Sequence, residues 1–312
     1  MRVLRATALS IALLLLIGAG WLCFVWPPPS WYRSHFPSKT AFMRMRERQY
    51  VAARDTTQLH YQPVALDSIA KWLPQAAVAG EDEAFYTHHG IDWHNLRLAL
   101  GYPRDQFSWS NPRDRADLRR AIRSAPERRE KLRGASTITQ QLAKNLWLSG
   151  SRNPLRKVKE AMLAWRLEWA LPKDRIMELY LNVAELGPNT WGVQAAAQRY
   201  FDRDAVRLTI DQSAMLIATL PHPLSSNPSY RPGRTRYRQQ LILRKLRGEN
   251  VEVPPEVEEQ EKPQPRPAAD SLPPLDTSEL PIDTAVVPPK PPETTTAPVD
   301  SPRAPPDTTK KP

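Results

Sequence analysis

Apolar residues recur at helical spacing through most of residues 59–248, and this periodicity is the strongest constraint on the fold. Apolar positions three or four residues apart mark one face of an α-helix. The pattern predicts helices over 66–80, 91–100, 136–148, 154–171, 174–183, 191–200, 209–220 and 232–247. No stretch of comparable strength alternates apolar and polar residues as a strand would. The sequence therefore predicts a mainly α domain of about 190 residues, enough to bury a sizeable core, with minor β content.

An uncharged apolar run occupies residues 8–26, after a short arm at 1–7. As a helix this run would be roughly 28 Å long, close to the thickness of the hydrocarbon core of a bilayer. A cleaved signal peptide is the alternative, but its apolar region is usually shorter. The aromatic residues Trp21, Trp26 and Trp31 suit a membrane interface instead. We therefore expect one transmembrane anchor, a cytoplasmic arm before it, a membrane-proximal linker over 27–58, and a domain over 59–248 on the outer side.

The C-terminal part, 249–312, has the composition of a disordered tail. Residues 251–312 hold 17 of the 33 prolines and no Gly, Cys, Met or aromatic residue, so they cannot bury a core. They carry six Lys/Arg and twelve Asp/Glu, a net charge of −6, which leaves +17 for residues 1–250. The basic part should attract polyanions such as nucleic acid, anionic lipid or phosphorylated substrates. A solvating tail is the plainer interpretation, and a tether for a partner protein is the alternative.

A polar strip follows a helix-start signal at residues 134–145. Gly134 permits a turn, and Ser136 can cap the first free N–H groups of the helix. A solvated helix face would more often be filled with Glu and Lys than with amides and a hydroxyl. The polar side chains that would share or border one face are Ser136, Gln140, Gln141, Lys144 and Asn145.

A second helix is predicted to start at Pro154, a residue favoured in the first turn. Arg156 and Lys157 lie one turn before Glu160 and can flank its carboxylate. Cations clustered near a capped helix start suit an anionic ligand, above all a phosphate. The apolar stripe of this helix comprises Val158, Met162, Trp165 and Trp169.

Three adjacent acids, Glu81, Asp82 and Glu83, precede a histidine-rich stretch. A carboxylate set among apolar neighbours can serve as a general base or acid, whereas an exposed acidic turn is the plainer interpretation. The nearby histidines lack a convincing metal-ligand spacing, so we expect them to be hydrogen-bonded or surface residues. A serine nucleophile is not indicated, because Ser136 lacks the Gly-x-Ser-x-Gly elbow. The Arg- and Asp-rich segment 101–133 is expected to be a mobile loop with one charged helix near 113–132.

Five motifs follow one another along the chain. They are Glu81-Asp82-x-x-Phe85-x-x-His88-x-Gly90, Gly134 to Asn145 (GASTITQQLAKN), Arg156-Lys157-x-x-Glu160, Glu178-Leu-Tyr-Leu-Asn182 and Gly192-Val-x-Ala-Ala-Ala-x-x-Tyr-Phe201. Together they resemble the peptidoglycan glycosyltransferase domain of glycosyltransferase family 51. The resemblance covers roughly residues 59–248, and the residues that follow are too few for a transpeptidase domain, so the chain is similar to the monofunctional biosynthetic peptidoglycan transglycosylases.

The resemblance implies a lysozyme-like, two-lobed fold that polymerises lipid II, a disaccharide-pentapeptide on undecaprenyl pyrophosphate. Glu81 would be the general base on the acceptor hydroxyl, and Glu160 a second essential carboxylate that orients cations or a divalent ion. An Mg²⁺ or Mn²⁺ ion at the pyrophosphate is implied as an option, not as an obligatory cofactor, and no protein-held metal site is expected. The residues that would bind the donor sugar and phosphates are Ser136, Gln140, Gln141, Lys144, Asn145, Arg152, Arg156 and Lys157.

The same resemblance implies the setting and the partners. The enzyme would sit in the inner membrane with its catalytic domain in the periplasm, bind lipid II and the nascent glycan strand, and reach cell-division or wall-synthesis proteins through its tail. A lysozyme-like lytic transglycosylase is one alternative, but it needs no pyrophosphate site. A catalytically silent membrane scaffold is another alternative, but such a scaffold would have no need for the two carboxylates of Glu81 and Glu160. Nucleic-acid binding would explain only the positive charge of the chain, so no nucleic-acid partner is expected.

Overall fold

A computed structural model describes residues 2–20, 28–54, 58–128, 132, 134–148 and 154–253. The described part is mainly helical, as predicted. Its helices are α1 (Arg2–Gly20), α2 (Ala41–Ala52), α3 (Trp72–Glu81), α4 (Trp93–Leu100), α5 (Pro112–Ser124), α6 (Ile138–Trp147), α7 (Pro154–Ala170), α8 (Lys173–Val183), α9 (Val193–Phe201), α10 (Ile210–Thr219) and α11 (Gly233–Leu246). Short 3-10 helices occupy Pro29–Arg33, Leu66–Ser68 and Ala205–Arg207.

Helix α6 lies at the centre of the core. It packs against α2, α7 and α8, while α10 packs against α3 and α11. Eight of its ten residues are buried, which is why its polar side chains must find partners inside the protein. Thr137, not Ser136 as predicted, caps it: the Thr137 hydroxyl accepts the Gln140 N–H at 3.1 Å, and the Gln140 amide oxygen accepts the Thr137 N–H at 3.1 Å.

The segment predicted as a linker over 27–58 is in large part folded onto the domain, which corrects that prediction. Met43 of α2 is fully buried in the core, and Arg46 forms a buried ion pair with Glu185 at 2.9 Å. The two charges compensate each other away from water, so α2 is fastened to the domain from inside. The sequence did not indicate this packing, because the charged residues of α2 obscure the pattern of its few buried positions.

Two other predicted segments differ in detail. The helix predicted over 66–80 starts only at Trp72, because Ile69 is extended and the Ala70 N–H bonds the Ala205 carbonyl at 3.0 Å. In the segment predicted as a mobile loop, α5 begins at Pro112, and buried Asp114 accepts hydrogen bonds from Arg104 and from the Ser108 N–H. A carboxylate satisfied in this way orders the loop before the helix.

Three short strands form the only sheet of the described residues: β1 (His60–Tyr61), β2 (Glu185–Gly187) and β3 (Thr190–Trp191). Their order is β1-β3-β2, with β1 parallel and β2 antiparallel to β3. Gly192 joins β3 to α9 with a φ of +80°, and a Cβ there would lie 2.4 Å from the Asn182 carbonyl oxygen. Only glycine fits this position, because the turn has both a positive φ and a close backbone neighbour.

The two ends of the chain are described only in part. Large apolar side chains of α1 between Leu9 and Ile17 are exposed. Among the described residues, no helix is both long and apolar enough to span a bilayer. Residues 21–26 of the predicted anchor and residues 254–312 of the predicted tail lie outside the described part.

Candidate active site

The carboxylate of Glu81 is fixed at both oxygens. Glu81 is the last residue of α3, and its side chain is only 2% exposed. Arg238 of α11 donates from Nη2 to Glu81 Oε1 at 2.8 Å and to the Gly80 carbonyl at 2.8 Å. Gln141 of α6 donates from Nε2 to Glu81 Oε2 at 2.9 Å. Helices distant in sequence therefore hold this carboxylate in one orientation.

Tyr180 sets the orientation of Gln141. The Tyr180 hydroxyl, buried on α8, donates to Gln141 Oε1 at 3.0 Å. Because the amide oxygen accepts from Tyr180, the amide nitrogen points towards Glu81. The three side chains form a chain of hydrogen bonds that ends at the carboxylate.

Asp82 holds the start of α6 against the histidine-rich stretch. Its carboxylate accepts the Ile138 N–H at 2.9 Å and bonds His88 Nε2 at 2.9 Å. The Gly90 N–H donates to His88 Nδ1 at 3.1 Å, so Nε2 carries the ring proton. A negative charge near the first turn of a helix also interacts favourably with the helix dipole. His88 therefore has a structural role, as expected for a hydrogen-bonded histidine.

A second cluster surrounds Glu160, which is buried on α7. Arg156 Nη1 lies 3.0 Å from Glu160 Oε1, and Lys157 Nζ lies 3.1 Å from Oε2. Lys157 Nζ also donates to Ser136 Oγ at 2.6 Å. The predicted flanking of Glu160 by two cations is confirmed, and Ser136 joins the cluster through Lys157. Among the described residues, no three His, Cys, Asp or Glu side chains group as metal ligands.

A cleft of about 600 Å³ runs beside Glu81. Ser136, Thr137 and Gln141 line it on the α6 side, together with Asp82. Lys144 and Asn145 lie elsewhere, in an adjoining pocket of about 40 Å³ that also contacts Arg46, Glu185 and Tyr180. Gln141 lines both spaces.

Of the predicted binding residues that the structure describes, Gln140, Arg156 and Lys157 line neither space. The Gln140 amide oxygen is used in the cap of α6, so this residue is bound to the helix start. Arg152 lies outside the described residues. Sequence reasoning missed Arg238 and gave Tyr180 no role. Tyr180 stands inside one of the five motifs, but no local signal links Arg238 to an acid 157 residues away.

A family model described as "Transglycosylase" matches residues 47–102 and 105–247, which include all five motifs. The chain belongs to the transglycosylase family. The resemblance seen in the sequence is thereby confirmed, and the match continues through the Arg- and Asp-rich segment with a break only at residues 103 and 104.

Several relatives in this family carry the name biosynthetic peptidoglycan transglycosylase. One from Bordetella pertussis is 40% identical over 224 residues, which cover 72% of this chain and 84% of the relative. One from Azoarcus is 35% identical, with 73% of this chain and 87% of the relative covered. One from Acinetobacter baumannii is 34% identical, with 77% of this chain and 96% of the relative covered.

Proposed function

We propose that the chain polymerises peptidoglycan glycan strands from lipid II and releases undecaprenyl pyrophosphate. Family membership and the names of the relatives support peptidoglycan strand synthesis. The observation that carries the assignment of roles is the pair of separated carboxylates. Glu81 is fixed beside an open cleft, while Glu160 holds two cations and, through Lys157, the Ser136 hydroxyl at the edge of that cleft.

Glu81 acts as the general base in this proposal. It takes the proton of the acceptor 4-hydroxyl, whose oxygen attacks C1 of the donor sugar as the C1–pyrophosphate bond breaks. One displacement at C1 inverts its configuration, so the α-linked donor gives a β-1,4 product without a covalent intermediate. Burial of the carboxylate among fixed donors keeps its oxygens in place and limits water, which favours proton transfer in one geometry.

The leaving pyrophosphate needs positive charge, and the cluster at Glu160 supplies it. Glu160 orients Arg156 and Lys157, whose donors remain partly exposed. Lys144 adds a cation in the smaller pocket, which Gln141 also lines. We assign Ser136 and Asn145 to the polar groups of the donor and leave the predicted Gln140 and Arg152 as weaker candidates. Charge-assisted hydrogen bonds to phosphate oxygens are the strongest polar contacts available here.

A divalent cation at the pyrophosphate stays a prediction. The described residues do not build a site for one, because Glu160 already faces two cations. A metal ion would therefore have to be held mainly by the phosphates. No step of the mechanism above depends on it.

The membrane location of the substrate suggests how the enzyme is placed. We assign α1 and the apolar residues that follow it to an inner-membrane anchor, with the catalytic domain in the periplasm. Helix α7 supports a second membrane contact, because its stripe of Val158, Met162, Trp165 and Trp169 faces solvent. Large exposed aromatic side chains in a row are typical of a membrane interface.

The assay that tests this function uses the detergent-purified chain with labelled lipid II. We expect glycan ladders that a muramidase digests, since that enzyme cuts β-1,4 linkages. Cleavage of preformed glycan without polymer formation would instead support the lytic alternative. Lipid II binding with neither reaction would support a scaffold.

A further inference from the structure

Helix α11 places a cation in the catalytic cleft. Arg238 and Lys245 are seven residues apart, so they lie on one face of the helix, about 10 Å apart along its axis. Arg238 holds Glu81, and Lys245 lines the same cleft two turns further on. Among the described residues that line the cleft, Lys245 is the one Lys or Arg, and it faces a set of acids that includes Glu83 and Glu252.

The ion pair of Lys245 is unequal. Its ammonium contacts the carboxylate of Glu83, but the Lys245 side chain is 19% exposed and that of Glu83 is 63% exposed. Partial burial lowers the pKa of Lys245, and Glu252 acts in the opposite direction. A half-buried ammonium needs an anion beside it, whereas an exposed carboxylate is well solvated without a partner. Glu83 can therefore be replaced at little cost by an anion that enters the cleft.

The chain after α11 keeps Lys245 inside the cleft. Arg244 binds Glu249 at 2.6 Å, the Glu249 N–H bonds the Arg244 carbonyl at 3.1 Å, and Val253 packs against the core. Glu252 and Val253 thus form part of the cleft wall beside Lys245.

We propose that Lys245 is a further substrate-binding residue that exchanges Glu83 for an oxyanion of the glycan substrate. The inference rests on the proposed function, and the oxyanion is a carboxylate of the stem peptide or a phosphate of the lipid pyrophosphate. Lys245 lies two helical turns from the partner of the base, so it binds a group away from the reacting bond. Its contribution should therefore appear in substrate binding and not in the chemical step.

The test compares Lys245→Gln, Lys245→Arg and Glu83→Gln in the full chain with lipid II in detergent. We expect Lys245→Gln to raise KM about tenfold with kcat within about twofold, as for loss of one charge-assisted contact. Lys245→Arg should restore most of the affinity. Glu83→Gln should not raise KM, because it frees the ammonium. Arg236→Gln is the matched control, since it removes one charge from an exposed position of the same helix outside the cleft.

A purely structural ion pair would behave symmetrically. Equal rises of KM in Lys245→Gln and Glu83→Gln, or an unchanged KM in Lys245→Gln, would overturn the inference while an active wild type leaves the proposed function standing. An inactive wild type would overturn the proposed function itself. Lipid II with amidated peptide carboxylates identifies the anion: loss of the Lys245→Gln effect indicates the peptide, and its persistence indicates the pyrophosphate.

Discussion

At the scale of single residues, the site depends on a carboxylate that other helices position. Glu81 ends α3, yet its two oxygens are held by Arg238 of α11 and Gln141 of α6. A misplacement of a reacting group by 1 Å can cost about a hundredfold in rate. Residues that never touch the substrate should therefore control turnover.

Arg238→Ala should lower kcat for lipid II polymerisation by about tenfold to a hundredfold, because Glu81 loses one of its two fixed partners. Arg238→Lys should recover part of kcat, since the ammonium can reach one oxygen but lacks the planar fork. Steady-state kinetics would show the loss in kcat with a smaller change in KM. A rise of KM alone would contradict a positioning role.

Tyr180→Phe removes the hydroxyl that orients the Gln141 amide. The expected cost is about 1 kcal/mol of unfolding free energy, measured by urea denaturation, together with a lower kcat. The fold should be retained, because the ring still fills its buried site. An unchanged kcat in a destabilised variant would show that Tyr180 supports the core and not the base.

At the scale of elements, helix positions could be predicted from the sequence but their faces could not always be. Helix α7 carries two stripes at helical spacing, and periodicity alone does not say which one is buried. The structure buries Glu160, Leu163, Ala164 and Leu167 against α6 and leaves the tryptophans outside. The smaller aliphatic side chains allow close packing against α6, whereas the tryptophans could not fit there without separating the helices.

The residues of the candidate site could likewise be predicted only in part. Glu81, Glu160 and the cations near Glu160 belong to local motifs, so their types and spacing were visible in the sequence. Three features could not be predicted, because they depend on tertiary packing or on a choice between adjacent residues. They are the role of Arg238, the ion pair between Arg46 of α2 and Glu185 of β2, and the cap at Thr137. Pairing across the fold leaves no local periodicity to read.

The turn between β3 and α9 offers a sharp test of local geometry. Gly192→Ala should destabilise the protein by more than about 3 kcal/mol, because φ is positive and the new Cβ meets the Asn182 carbonyl. Gly233→Ala at the start of α11 is the matched control, since a Cβ there has no atom within 4 Å. Comparable urea midpoints for the two variants would contradict this account of the turn.

At the scale of the whole molecule, we propose an enzyme that acts at a membrane surface. Three features support this proposal: the cleft, the cation cluster and the exposed tryptophans of α7. Trp169 is 91% exposed, and Trp165 lies one turn before it on the same face. Such a surface is costly in water unless a lipid or protein covers part of it. The substrate in our proposal is itself a lipid.

Replacing Trp165 and Trp169 by Ser should slow polymerisation of lipid II in vesicles about fivefold or more, as expected for lost burial of two aromatic side chains. The rate with detergent-solubilised lipid II should change less than about twofold, because detergent substrate does not require docking. Val206→Ser, at another exposed apolar position, is the control. Equal losses in both assays would assign the tryptophans to folding or catalysis.

Glu81→Gln removes the general base that we propose for the glycan polymerase. The variant keeps the size of the side chain and one acceptor oxygen for Arg238, so lipid II binding should persist while polymer ladders disappear. Glu47→Gln, at an exposed position on α2, should polymerise like the wild type. We therefore would measure polymer formation and lipid II binding for both variants in parallel. Ladders from Glu81→Gln at a substantial fraction of the wild-type rate would contradict the account.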